Sequence, residues 1–80
     1  MISVHLQYFS QFRDLKGPES LDLPPGTTVA ELLQKLYALL PGFKEWDKCL
    51  LIAAGIEYVP RDYVLKPGDL ISLMPPVQGG

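Results

Sequence analysis

The sequence has one cysteine, Cys49, one histidine, His5, and no cluster of basic residues. A lone cysteine excludes an intramolecular disulfide, and one cysteine with one histidine is too small a ligand set for zinc, so no metal site is expected. A net charge of −2 leaves no surplus of Lys and Arg to displace counterions, which argues against a nucleic-acid partner. No stretch approaches the ~20 apolar residues of a membrane span. The N-terminus also lacks the basic region and apolar run of a signal peptide. These absences lead to the expectation of a soluble, cytoplasmic protein with no membrane partner. Neither a G-x-x-x-x-G-K-S/T nor a G-x-G-x-x-G phosphate loop occurs, so any nucleotide chemistry must be supplied from outside.

What remains is enough for one small domain. The chain has 80 residues, 48% of them apolar and 20% charged, a composition that favours a packed globule over disorder. A domain of this size buries only about 60% of its unfolded surface, so the core is thin. Gly17-Pro18, Pro25-Gly26, Pro41-Gly42 and Pro67-Gly68 mark turns, because proline fixes φ while glycine accepts positive φ.

Between those turns lie pieces of element length. Ile2, Val4, Leu6 and Tyr8 alternate with Ser3, His5 and Gln7, the period of a strand with one buried face. Ser10 to Lys16 reads as a short turn or a single helical turn. Glu19 to Leu23 reads as a second strand in a hairpin with the first. Thr28 with Glu31 forms the capping box that opens a helix. Val29, Leu32, Leu33, Leu36, Leu39 and Leu40 then make its apolar stripe, and Glu31–Lys35 is spaced for an i,i+4 ion pair. Pro41-Gly42 ends the helix. Cys49 to Ala54 predicts a strand, Gly55 a turn, Ile56 to Val59 a short strand, Leu65 to Asp69 a turn, and Leu70 to Met74 the last strand. The order β-β-α-β-β-β predicts an α+β fold of the ubiquitin-like β-grasp type, a mixed sheet of about five strands with one main helix across it. Residues 1–74 would form this domain and residues 75–80 an extended tail.

The tail reads Pro75-Pro76-Val77-Gln78-Gly79-Gly80. The prolines halt strand pairing and favour an extended course away from the body. Six extended residues reach roughly 20 Å, enough to enter another protein's active site. Two glycines without side chains can thread a narrow channel. If Gly80 carries a free carboxylate, with a pKa of about 3.3–3.7, it is ionised at neutral pH and a poor electrophile. It therefore needs activation, most simply by ATP to an acyl-adenylate.

Several stretches together resemble the MoaD-type sulfur carrier, the small-subunit family of molybdopterin synthase. Phe9-Ser10-Gln11-Phe12-Arg13-Asp14-Leu15-Lys16-Gly17 is similar to the family's aromatic-x-x-x-Arg-Glu-Leu-x-Gly stretch. Thr28-Val29-Ala30-Glu31-Leu32-Leu33 is similar to its helix start, and Leu65-Lys66-Pro67-Gly68-Asp69 to the turn before its last strand. The ending matches Pro-Pro-Val-x-Gly-Gly. Ala54-Gly55 departs from the Val-Asn often found there, although both tolerate a left-handed turn.

The resemblance implies a carrier that is not an enzyme on its own. A MoeB-type, E1-like enzyme, bringing ATP and Mg, would adenylate Gly80. A persulfide donor would convert it to a thiocarboxylate, carried as 1-thioglycine. Residues Pro75, Pro76, Val77, Gln78 and Gly79 would then insert into a MoaE-type large subunit, in a heterotetramer, to deliver sulfur to cyclic pyranopterin monophosphate. It implies no cofactor bound by this chain. Two rival readings share the glycine ending: a ThiS-like carrier for thiazole synthesis, and a ubiquitin-like protein modifier.

Phe9 and Met74 fall on the outward positions of the first and last strands. With Tyr58, added by the resemblance, and Arg13 as a possible partner for a carboxylate, they form the expected partner interface. Cys49 reads as an inert strand position beside Leu50, Leu51 and Ile52. His5 reads as a surface residue. Trp46, Tyr37, Phe43 and Tyr63 read as packing, and Gly68 and Asp69 as turn residues.

Overall fold

The structure, a computed structural model, describes residues 1–76. Five strands, β1 (Ile2–Tyr8), β2 (Ser20–Leu23), β3 (Leu51–Ala54), β4 (Glu57–Tyr58) and β5 (Leu70–Met74), and one α-helix, α1 (Val29–Leu39), follow the expected order. The sheet runs β2-β1-β5-β3-β4, with β1 and β5 parallel at its centre and the other pairs antiparallel. This is the ubiquitin-like β-grasp arrangement: the two terminal strands lie side by side and the helix covers one face.

The alternation of β1 puts Val4 and Leu6 into the core and leaves Ser3, His5 and Gln7 on the other face. β5 supplies Ile71 and Leu73, and β3 supplies Ile52. Against them α1 lays Val29, Leu32, Leu33 and Leu36, all fully buried. Each such side chain removed from water contributes about 1.5–3 kcal/mol. Leu39, expected in this stripe, is 55% exposed, whereas Tyr37 is buried. At about 100° per residue the stripe centres between Val29 and Leu36, so positions 37 and 39 lie on its opposite margins. The margin that is covered is Tyr37's, where the Phe43 ring packs edge-on at 5.8 Å.

That covering comes from a 3-10 helix, Pro41–Trp46, which the sequence reading did not foresee. A first 3-10 helix, Ser10–Leu15, occupies the expected helical turn and buries Phe12. Phe12 meets Phe43 and Trp46 edge to face at 4.9 and 5.4 Å, joining the two 3-10 helices to the core.

The capping box forms as expected: the Glu31 amide donates to the Thr28 hydroxyl, and Glu31 accepts from the Thr28 amide. Glu31 is thereby engaged at the cap, and the expected pair with Lys35 is not made; the salt bridge among the described residues joins Arg61 to Asp47. Further amides at the helix start donate to loop carbonyls, Val29 to Tyr63 and Ala30 to Arg61, each at 2.9 Å. The loop after β4 therefore satisfies donors that a helix start leaves unpaired.

Some boundaries moved. β3 begins at Leu51, not Cys49. The Cys49 amide donates instead to the Trp46 carbonyl at 3.0 Å, which prolongs the 3-10 turn and leaves Cys49 exposed. β4 is limited to Glu57 and Tyr58, since Val59 makes a last bond to Ile52 and Pro60 has no N–H to continue the ladder.

Candidate functional site

The face of the sheet opposite α1 carries the candidate site, and strand register dictates its shape. Tyr58 pairs with Ala53, Ala53 with Ser72, and Ser72 with Gln7, so these side chains form one row across four strands. Ala53 and Ser72 are small, and both are buried although nothing of α1 lies over this face. Their burial comes from taller neighbours. Met74 pairs with Leu51 one pleat further along, and the Phe9 amide donates to the Leu73 carbonyl at 3.1 Å, which sets Phe9 beside the end of β5. A groove of about 240 Å³ results, with Ala53 and Ser72 among its lining and Phe9, Tyr58, Met74 and Ile56 around them.

The structure thus brings together Phe9, Tyr58 and Met74, three of the four residues expected at an interface. Phe9 is 38% and Tyr58 68% exposed, and Met74 is half-buried. Arg13 is not in this groove. It lines a neighbouring, wider depression of about 570 Å³ with His5, Gln7, Lys16, Glu19 and Leu70. Gln7 and Ser72, one from each depression, are paired across β1 and β5, so the two adjoin. The outer face is therefore apolar on one side and mixed in charge on the other. Beneath the second depression the Tyr8 hydroxyl donates to the Pro18 carbonyl at 2.7 Å, and burial pushes its pKa up to about 12. It remains a neutral donor throughout the physiological range.

β5 ends at Met74, next to the apolar groove, and Pro75 and Pro76 follow it half-buried. The tail therefore starts from the rim of the groove. The remaining expected tail residues, Val77, Gln78, Gly79 and Gly80, lie outside the described residues. Among the described residues no cluster of His, Cys, Asp or Glu side chains could hold a metal ion, and no helix is long and apolar enough to cross a membrane.

Sequence reasoning missed Ile56, Ala53 and Ser72. The signal for the latter pair was present: two small residues at outward positions of strands whose other outward positions are large. Ile56 gave no such signal, because its place on the rim depends on how tightly the β3–β4 connection turns.

The ThiS family matches residues 6–80. A molybdopterin synthase sulfur carrier subunit from Chlamydomonas reinhardtii is 30% identical over 99% of this chain and 100% of its own length. Among solved structures, a Pyrococcus furiosus protein described as molybdopterin converting factor subunit 1 superposes with a TM-score of 0.84 at 32% identity, covering 96% of this chain and 100% of that one. A chain from a Helicobacter pylori complex of subunits 1 and 2 of molybdopterin-converting factor aligns with a TM-score of 0.67 at 29% identity, covering 99% and 100%.

Proposed function

Because the chain belongs to the ThiS family, we propose that it serves as the sulfur-carrier subunit of a molybdopterin synthase. The observation that carries this reading is the run of similarity along the whole chain to sulfur carrier subunits, joined to a Pro-Pro-Val-x-Gly-Gly ending that leaves the sheet beside an apolar groove. On this reading residues 1–74 are the docking body and residues 75–80 the delivery arm.

The chemistry follows from the carboxylate of Gly80. An activating enzyme of the E1-like type supplies ATP and Mg, and the carboxylate displaces pyrophosphate to give an acyl-adenylate. A persulfide sulfur attacks that carbonyl and AMP leaves; a thiol reductant then cleaves the acyl disulfide, leaving a thiocarboxylate on Gly80. The large subunit admits the tail and provides the catalytic side chains, and the thiocarboxylate sulfur passes to cyclic pyranopterin monophosphate. The carrier's own residues dock the body through Phe9, Tyr58 and Met74 and hold the reacting atom at the end of a narrow strand.

The test is intact-mass spectrometry of the purified chain after incubation with ATP, Mg, an E1-like activator and a persulfide donor. The expected product is heavier by one oxygen-to-sulfur exchange localised to Gly80, and addition of the large subunit and pterin substrate returns the original mass. An unchanged mass in an active system, or sulfur found on Cys49, overturns the reading. Transfer to a thiazole precursor instead of the pterin, or a ladder of lysine conjugates on denaturing gels, assigns the chain to one of the rival classes.

A further inference from the structure

The apolar groove has one wall that folding does not call for. β3 and β4 are joined by a two-residue turn, Gly55-Ile56, closed by the Ala54–Glu57 pair. Gly55 takes φ +63, which suits the first position of such a turn and which glycine adopts without a steric penalty. The second position favours Asn, Asp or Ser, which hydrogen-bond locally and are well solvated. Isoleucine offers neither property. Ile56 is 99% exposed, so it contributes no burial to the folded state, yet it lines the groove together with Tyr58, Phe9 and Met74.

Its geometry suits contact with a partner. A β-branched side chain is stiff at χ1, and a two-residue turn leaves its backbone little freedom. Little conformational entropy is then lost when a partner closes over it. Met74, at the other end of the groove, is the opposite type, unbranched and adaptable. Glu57, also exposed, follows directly on the edge strand, where a charge discourages indiscriminate strand pairing. The feature is a rigid apolar knob with a carboxylate at its flank.

Resting on the reading that this face meets the large synthase subunit, we infer that Ile56 is an anchor of that docking. It enters an apolar recess on the large subunit wide enough for a branched aliphatic side chain, with no carboxylate opposing Glu57. The recess continues the surface that covers Phe9, Tyr58 and Met74, and fixes the rotation of the body about its tail.

Calorimetric titration of the purified large subunit with the wild-type chain, Ile56→Asn, Ile56→Leu and Met74→Asp tests this. Ile56→Asn should weaken binding by about tenfold or more, the scale of a buried anchor, whereas Ile56→Leu should stay within about threefold. Because Asn suits the turn, Ile56→Asn should melt no lower than wild type, which separates lost contact from lost fold. If Ile56→Asn binds like wild type while Met74→Asp has lost binding, Ile56 is idle and only the present inference falls. If neither substitution weakens binding, the docking face itself is wrong and the inference falls with it. A wild-type chain that dimerises, an Ile56→Asn chain that does not, and equal affinity of both for the large subunit would assign the knob to a second copy and overturn the inference.

Discussion

At the scale of single residues, Asp47 does more than its place on the surface implies. One of its carboxylate oxygens accepts from the Tyr37 hydroxyl and from Arg61 Nη1 at 3.0 Å, and its carbonyl accepts from Arg61 Nη2. Those hydrogen bonds, Tyr37's first and Arg61's second, hold the Asp47 carboxyl below its ordinary pKa. The bond to Asp47 in turn raises the Tyr37 hydroxyl, which burial has already shifted upward, while Arg61 opposes that rise. The folded Asp47 therefore binds its proton less readily than the unfolded one. Its contribution is complete above the unfolded value, about pH 4, and fades as pH falls through the lowered folded value. Its side chain is 43% exposed, so screening keeps the effect modest. Asp47→Asn should melt a few degrees below wild type at neutral pH, and the two melting curves should converge below about pH 4. A gap that persists at low pH would show that packing, not charge, makes the contribution.

At the scale of elements, the sequence was most legible where a local rule decides the outcome. The capping box, the alternation of β1 and the Pro-Gly turn before β5 each depend on residues within a few positions, and each formed where expected. The second 3-10 helix was not legible: Phe43 reads as packing, but the element that delivers it to Phe12 and Tyr37 is set by those tertiary partners and not by a local rule. Leu39 misled for the same reason: periodicity gives the width of a stripe, but the covering element decides which margin is wet. Gly17 shows a further limit. It reads as turn punctuation, yet a Cβ there would lie 2.5 Å from the Tyr8 hydroxyl and 2.8 Å from Leu40 Cδ1. The Tyr8 ring cannot retreat freely, since its hydroxyl is held by the Pro18 carbonyl. Gly17→Ala should thus cost about 1–3 kcal/mol, the scale of overpacking, and shift the midpoint of urea denaturation with an unchanged slope. Tyr8→Phe in the Gly17→Ala background should recover part of the loss, because it removes the nearest clashing atom.

At the scale of the whole molecule, the body and the tail were legible to different degrees. The expected interface residues Phe9, Tyr58 and Met74 could be named from outward strand positions and family likeness, but only the register of β3, β4 and β5 joins them into a groove. Arg13 shows the converse, since proximity in sequence to Phe9 did not put it in the same depression. The proposed division of labour makes a sharp demand on tail length. Pro75 and Pro76 are half-buried at the end of β5, so a change inserted after them leaves the body's packing in place. Changes away from packing usually stay within about ±0.5 kcal/mol. Delivery is far less tolerant, because one extra residue shifts a terminus by roughly 3.3–3.6 Å. A misplacement of about 1 Å at a reacting centre can cost on the order of a hundredfold in rate. Insertion of Ala between Gln78 and Gly79 should accordingly leave the melting temperature and the affinity for the large subunit nearly unchanged while abolishing molybdopterin formation in a reconstituted synthase. Thermal unfolding, titration and product formation measured on the same preparation separate the three effects. Normal turnover by the lengthened tail would mean that the sulfur is not delivered through a length-matched channel.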